Sequence, residues 1–227
     1  MKCVVTPVAG FSLIELALVT VVLGVLAGGM IASLDGQLRV RHYRETERTL
    51  ARVELALEGF AIANGARLPC PDTDGDGFAD RAHGLDPAGP CQVAEGQLPW
   101  VTLGVGRADG WGRVFRYRPD SGFVSLYGIP NPPNSVDGLA VRDAEAGRRL
   151  TLANPHAPAA VVFSCGRNGR ADGFNAETVS GCSAPISASV LRPYAHGRPG
   201  ADFDDVTVWI SKNVLLGRLV AAGEWPR

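Results

Sequence analysis

Four aspartates in one short segment have the chemistry to bind a cation. Asp72, Asp74 and Asp76 alternate along the chain, and Asp80 follows the turn that Gly77 permits, in the string DTDGDGFAD. Carboxylates at alternate positions around a glycine turn are typical of the start of a calcium-binding loop, because hard oxygen ligands converge when the chain folds around the ion. This spacing makes Ca²⁺ the one candidate cofactor.

The second half of this loop departs from the calcium-binding pattern. The twelfth position is His83, where an EF-hand has a bidentate glutamate, so the ion would need ligands from elsewhere. A second acidic cluster, formed by Asp202, Asp204 and Asp205, is a candidate source of those ligands. The alternative is a solvated Asp-Gly turn that binds no ion.

A single carboxylate interrupts an apolar block near the start of the chain. Residues 11–34 contain one charged residue, Glu15, among 24 positions. A helix of that length is about 36 Å long, enough to cross the hydrocarbon core of a bilayer. A charge within such a span costs about 2.5–3.5 kcal/mol near the bilayer centre, so it is a functional-site hypothesis that requires a partner.

The cysteines favour disulfides over a metal site. Cys70, Cys91, Cys165 and Cys182 lack the close pairs typical of zinc sites. Sequential pairing is the simplest of the three possible connectivities, and each bridge would contribute roughly 3 kcal/mol through loop closure. Such bridges are typical of an oxidising compartment such as the periplasm, whereas free buried thiols are the alternative.

Charge and motif content exclude two classes of function. The formal net charge is −1, with 22 basic and 23 acidic residues, which argues against a nucleic-acid binder. The four histidines lack an H-E-x-x-H partner, and no G-x-S-x-G elbow marks a nucleophile. We therefore expect no enzymatic activity and no catalytic residues.

A long helix would position Glu15 and lead into the rest of the chain. No proline occurs between Pro7 and Pro69, and Leu50, Val53, Leu57 and Phe60 share one helical face. These features predict one helix over residues 11–64, apolar on all sides in its first half and amphipathic in its second. Asn64-Gly65 gives the expected end.

Short strands and turns are predicted for residues 65–227. Alternating apolar residues indicate a hairpin from 113–117 and 122–129, and further strands at 150–152, 160–163 and 206–210. A final helix is predicted over residues 213–222. The fold class is therefore α+β, with the long N-terminal helix packed on an antiparallel sheet in a head that holds two disulfides.

The start of the apolar block resembles a known processing site. Gly10-Phe11-Ser12-Leu13-Ile14-Glu15 is similar to the cleavage and methylation motif of type IV pilins and type II secretion pseudopilins. The resemblance implies that a prepilin peptidase cuts between Gly10 and Phe11 and that Phe11 is then N-methylated. It also implies that Glu15 pairs with the N-terminal amine of a neighbouring subunit during assembly.

This resemblance implies a domain organisation and a function. Residues 1–10 are a leader, 11–34 the transmembrane and assembly half of the helix, 35–64 its amphipathic half, and 65–227 a periplasmic head. The expected function is that of a minor pilin or pseudopilin in a type IV pilus or a type II secretion system. The expected partners are prepilin peptidase, other pilin-like subunits and the inner membrane, with no nucleic acid.

Three other possibilities stay open at this point, one of which is a membrane-anchored hydrolase. A membrane-anchored periplasmic binding or adhesive domain would have a similar sequence but would not polymerise. An ordinary signal anchor, with Glu15 near the membrane surface, would likewise need no processing at Gly10. In each case the chain would be a single-pass inner-membrane protein with its head in the periplasm. A pilin-like subunit would later lie in a filament.

Overall fold

A computed structural model describes residues 12–82, 91–176, 182, 193–200 and 202–226, with the backbone alone for 27–35. The chain divides into two units, Met1–Arg41 and His42–Arg227. Helix α1, Leu13–Ala63, begins in the first unit and ends in the second. The fold is α+β, as predicted.

The prediction of a transmembrane first half of α1 is wrong. Among the residues that the structure describes, no helix is both long enough and apolar enough to cross a membrane. In the described residues the helix begins at Leu13.

The amphipathic pattern of α1 forms a buried stripe in the second unit. Leu50, Val53 and Leu57 are fully buried, and Ala61 continues the stripe. Phe60 is half-buried, and the Arg67 guanidinium lies 5.5 Å from the centre of its ring. The helix ends at Ala63, close to the predicted Asn64, and Gly65 follows with a φ of +75°. The glycine supplies the left-handed conformation that ends the helix.

Four strands of the described chain form an antiparallel sheet in the order β1-β2-β4-β6. Strand β1 is Gly96–Gln97 and β2 is Arg116–Pro119, while β4 is Ala160–Ser164 and β6 is Val206–Ile210. A parallel pair, β3 (Ala140–Asp143) with β5 (Pro193–His196), lies outside this sheet. The predicted strands at 160–163 and 206–210 are confirmed.

Both faces of the central strand β4 are buried, which explains its unbroken apolar sequence. Ala160 and Val162 join the core that contains the α1 stripe and the C-terminal helix α3, Lys212–Ala221. Val161 and Phe163 point to the opposite face and pack with a second core, which includes Tyr194. Successive side chains of a strand alternate between faces, so a strand covered on both sides needs apolar residues at every position.

The predicted hairpin at 113–129 is wrong, and the reason is the side chain of Asp120. Its Oδ1 accepts hydrogen bonds from the backbone N–H groups of Gly122 and Val136, each at 2.9 Å. The carboxylate therefore caps a 3₁₀ turn, Ser121–Phe123, at the point where the second strand was expected. Strand β2 pairs instead with β1 and β4.

Two further helices in the described part of the chain are short. Helix α2 is Trp100–Leu103, and α3 is Lys212–Ala221, one residue earlier than predicted at each end. Leu215 and Leu219 of α3 are fully buried against the α1 stripe. The predicted strand at 150–152 is absent; the Thr151 hydroxyl accepts a hydrogen bond from the Val141 N–H.

Candidate functional site

Glu15 lies in the first turn of α1, with its side chain in solvent. The backbone N–H of Glu15 donates to the Ser12 carbonyl oxygen at 3.1 Å and to its hydroxyl at 3.3 Å. A carboxylate in the first helical turn is favoured by the helix dipole. The predicted processing residues, Gly10 and Phe11, lie outside the described residues.

The apolar side chains around Glu15 are exposed in the single chain. Leu13 is 87% and Ile14 is 78% exposed, and the following apolar residues are also open to solvent. The exposed large side chains in this segment are Leu13, Ile14, Leu16, Leu18, Val19, Val21, Val22, Leu23, Val25 and Leu26. A contiguous apolar surface of this kind marks a site of interaction with another molecule.

The acidic loop folds around the buried carboxylate of Asp72. Asp72 Oδ1 accepts hydrogen bonds from the N–H groups of Asp74 and Gly75, at 3.1 and 2.7 Å, and Oδ2 accepts from Gly77 N–H at 2.9 Å. Gly77 has a φ of +88°, and a Cβ there would collide with Trp100. Burial raises the pKa of Asp72, which these three backbone donors oppose.

The structure brings together three of the four predicted calcium ligands. One oxygen from each of Asp72, Asp74 and Asp80 falls within 4.8 Å of the other two, and Asp76 is not in this group. Asp80 Oδ2 accepts hydrogen bonds from the Thr73 N–H at 2.7 Å and from its hydroxyl at 2.6 Å. Asp76 accepts a hydrogen bond from Phe78 N–H at 2.7 Å. His83 lies outside the described residues.

Two disulfides follow the sequential pairing. Cys70 is bonded to Cys91 and Cys165 to Cys182, with Cα–Cα distances of 5.3 and 6.2 Å. The acidic loop lies within the segment that the first bridge closes. Disulfides form and persist in oxidising compartments, so this pair indicates an environment outside the cytoplasm.

A second acidic cluster is assembled from distant parts of the sequence. One carboxylate oxygen from each of Asp172, Asp204 and Asp205 lies within 4.8 Å of the others. Asp202, which the sequence grouped with Asp204 and Asp205, is exposed and is not in this group. Asp172 was missed because it lies more than thirty positions away; its only signal is the glycine-flanked string NGRADG.

Backbone and amide donors hold this second cluster in place. Asp205 Oδ2 accepts from Asp172 N–H at 2.9 Å and from the Asn175 amide at 2.8 Å. Asp204 N–H in turn donates to Asp172 Oδ2 at 2.9 Å. Burial, and then the neighbouring carboxylates, raise the pKa of Asp205 to about 7.

Sequence reasoning also missed a buried polar network in the head. The Arg116 guanidinium donates to Glu95 Oε1 at 3.3 Å, and the Tyr194 hydroxyl donates to Glu95 Oε2 at 2.6 Å. All three side chains are essentially inaccessible to solvent. Strand β2 has charged residues at alternate positions, Arg116 and Arg118. This pattern is typical of a strand with one face in solvent, so it does not predict the burial.

The chain was compared with protein-family profiles, with curated proteins and with solved structures, and none of the three comparisons found a match.

Proposed function

We propose that this chain is a structural subunit of a filament, a pilin-like protein that assembles through the start of helix α1. The observation that carries the proposal is the exposed apolar segment 12–26 with Glu15 in its first turn. The similarity of residues 10–15 to the prepilin processing motif supports the same function. A minor pilin or pseudopilin is the specific class proposed.

The exposed segment supplies the driving force for assembly. Burial of a large aliphatic side chain stabilises by roughly 1.5–3 kcal/mol, and ten such side chains are exposed between Leu13 and Leu26. The occupant that we propose for this surface is the same segment of neighbouring subunits. Helices that carry apolar residues on every side bury them by packing among several other helices.

Glu15 gives this assembly its register. Its carboxylate is an exposed negative charge among apolar neighbours, and burial between subunits would require a positive partner. The N-terminal amine created by cleavage after Gly10 would lie four residues before Glu15. The amine of one subunit would therefore pair with Glu15 of another when the two helices are offset along their length.

The head would then lie at the filament surface or in the periplasm, where its disulfides are stable. Within the head, Asp72, Asp74 and Asp80 are the proposed ligands of a Ca²⁺ ion, with Asp76 as a further ligand after rearrangement of the loop. Support comes from the convergence of the first three carboxylates. The ion would stabilise the loop enclosed by Cys70 and Cys91.

Processing is the test of this function. Co-expression of the chain with a prepilin peptidase is expected to yield a product that lacks residues 1–10 and begins at Phe11, as measured by intact-mass spectrometry. A Gly10→Leu variant is expected to keep its full length, because it removes the glycine after which the motif implies cleavage. A mature N-terminus at any other residue would refute the proposal, and so would cleavage of both chains alike.

A further inference from the structure

The second acidic cluster contains carboxylate oxygens whose hydrogen-bonding capacity is unused. Asp205 is 1% exposed, and its Oδ1 atom is buried without a hydrogen-bond partner among the described residues. The Oδ1 atom of Asp204 is likewise buried without a hydrogen-bond partner among the described residues. Burying a charged oxygen without a partner costs several kcal/mol, so an arrangement that leaves two of them open indicates that something else binds there.

Charge at this cluster is also out of balance. Three carboxylates contribute an oxygen to a region 4.8 Å across. Arg113 is a nearby cation and influences Asp204, but its guanidinium donates to the carbonyl oxygen of Gly166. One arginine engaged with a backbone carbonyl does not neutralise three acids, and a divalent cation would complete the balance.

The backbone around the cluster is packed closely enough to hold an ion in one position. Gly166 has a φ of +51°, and a Cβ at this residue would collide with Asp204. Asn168 N–H donates to Asp204 Oδ2 at 2.9 Å, and the Asn168 amide donates to Asp172 Oδ1 at 3.1 Å. Hydrogen-bond donors therefore occupy the Oδ2 atom of Asp204 and the Oδ2 atom of Asp205. The Oδ1 atom of each residue can still accept a ligand.

We propose that Asp172, Asp204 and Asp205 form a cation site for Ca²⁺. Ca²⁺ binds carboxylate oxygens at 2.3–2.6 Å, so two ligands on opposite sides of the ion are about 4.6–5.2 Å apart. The three oxygens lie within 4.8 Å of one another, close enough for one ion to contact all of them. Water would complete the six to eight oxygen ligands that Ca²⁺ takes, whereas Mg²⁺ requires a tighter octahedron.

This site is independent of the filament proposal and of the acidic loop at residues 72–80. In that loop, hydrogen bonds from backbone N–H groups already occupy both oxygens of the buried Asp72. In the second cluster, both Oδ1 atoms are open. A bound ion would tie the turn at residues 168–172 to the segment that leads into strand β6, beside the Cys165–Cys182 bridge.

The test is calcium titration of the full chain, kept in solution with a mild detergent and stripped of ions by chelator. We expect calorimetry to detect Ca²⁺ binding, and 10 mM Ca²⁺ to raise the melting temperature by about 5–10 °C over EDTA. Asp205→Asn and Asp204→Asn are each expected to weaken binding at this site at least about tenfold, because each removes one ligand charge.

The matched control is Asp202→Asn, which makes the same chemical change at an exposed position outside the cluster and is expected to leave binding unchanged. Asp74→Asn separates the two sites, since it affects only the loop at residues 72–80. If Asp205→Asn does not fold, the half-buried Asp204 gives the same test. Unchanged calcium binding in Asp204→Asn and Asp205→Asn would overturn the proposal, and so would loss of all binding in Asp74→Asn alone.

Discussion

Replacement of Glu15 by Ala is expected to reduce incorporation of the chain into filaments by roughly 10- to 100-fold. The change removes the carboxylate proposed to pair with a neighbour's N-terminal amine, and a charge-assisted hydrogen bond contributes about 1.5–3 kcal/mol. Cleavage after Gly10 is expected to continue, since Glu15 lies beyond the cut bond. Incorporation is measured by immunoblots that compare the amount of the chain in filaments sheared from cells with its amount in whole cells.

Glu45→Ala is the matched control for this variant. Glu45 is another exposed glutamate of α1, and its removal takes away the same charge. Incorporation of Glu45→Ala is expected to match that of the unmodified chain. Equal incorporation of Glu15→Ala and the unmodified chain would show that the carboxylate does not contribute to assembly.

Replacement of Glu95 by Gln is expected to lower the free energy of unfolding by about 3–5 kcal/mol. The variant removes the carboxylate charge that faces the buried Arg116 guanidinium and weakens the 2.6 Å hydrogen bond from the Tyr194 hydroxyl. Strand β5, which contains Tyr194, and strand β2 are both held by this carboxylate. Urea denaturation followed by circular dichroism measures the loss.

Glu145→Gln serves as the comparison for Glu95→Gln, because Glu145 is an exposed glutamate. Its effect on unfolding is expected to stay within about 0.5 kcal/mol. A loss of less than about 1 kcal/mol in Glu95→Gln would mean that the buried network does not stabilise the head as described.

Local patterns predicted the elements whose stability depends on apolar burial. The spacing of Leu50, Val53 and Leu57 predicted the buried face of α1 because a helix repeats every 3.6 residues. Strands β4 and β6 were predicted from their short apolar segments. The two disulfides have the sequential pairing, which was the simplest of the three connectivities that the sequence left open.

Polar side chains that bind the backbone account for the main errors. Asp120 was interpreted as a turn residue of a hairpin, but its carboxylate gathers N–H groups of Gly122, Val136 and Asp137 and redirects the chain. Local alternation of apolar residues cannot predict bonds to residues sixteen positions away. The transmembrane prediction was wrong for a different reason, because it rested on hydropathy over residues 11–34, and the described helices contain no span of the required length and apolarity.

The acidic sites show the same limit. Asp72, Asp74 and Asp80 are close in sequence, so their convergence could be predicted from a turn around Gly77. Asp172 reaches Asp204 and Asp205 only because the turn that follows strand β4 returns to the start of strand β6. The sequence-based prediction of the second acidic cluster included Asp202 because it is close to Asp204 in the sequence, but its side chain is in solvent. The prediction did not include Asp172.

Site-specific photocrosslinking from position 16 is the most direct measurement of assembly through the start of α1. Leu16 is 58% exposed and lies beside Glu15. With a photoreactive amino acid at this position, illuminated filaments are expected to yield dimers whose crosslinked peptide, identified by mass spectrometry, lies within residues 11–34 of a second subunit. Crosslinks confined to a single chain, or monomers alone in a filament fraction that contains the protein, would contradict assembly through this helix.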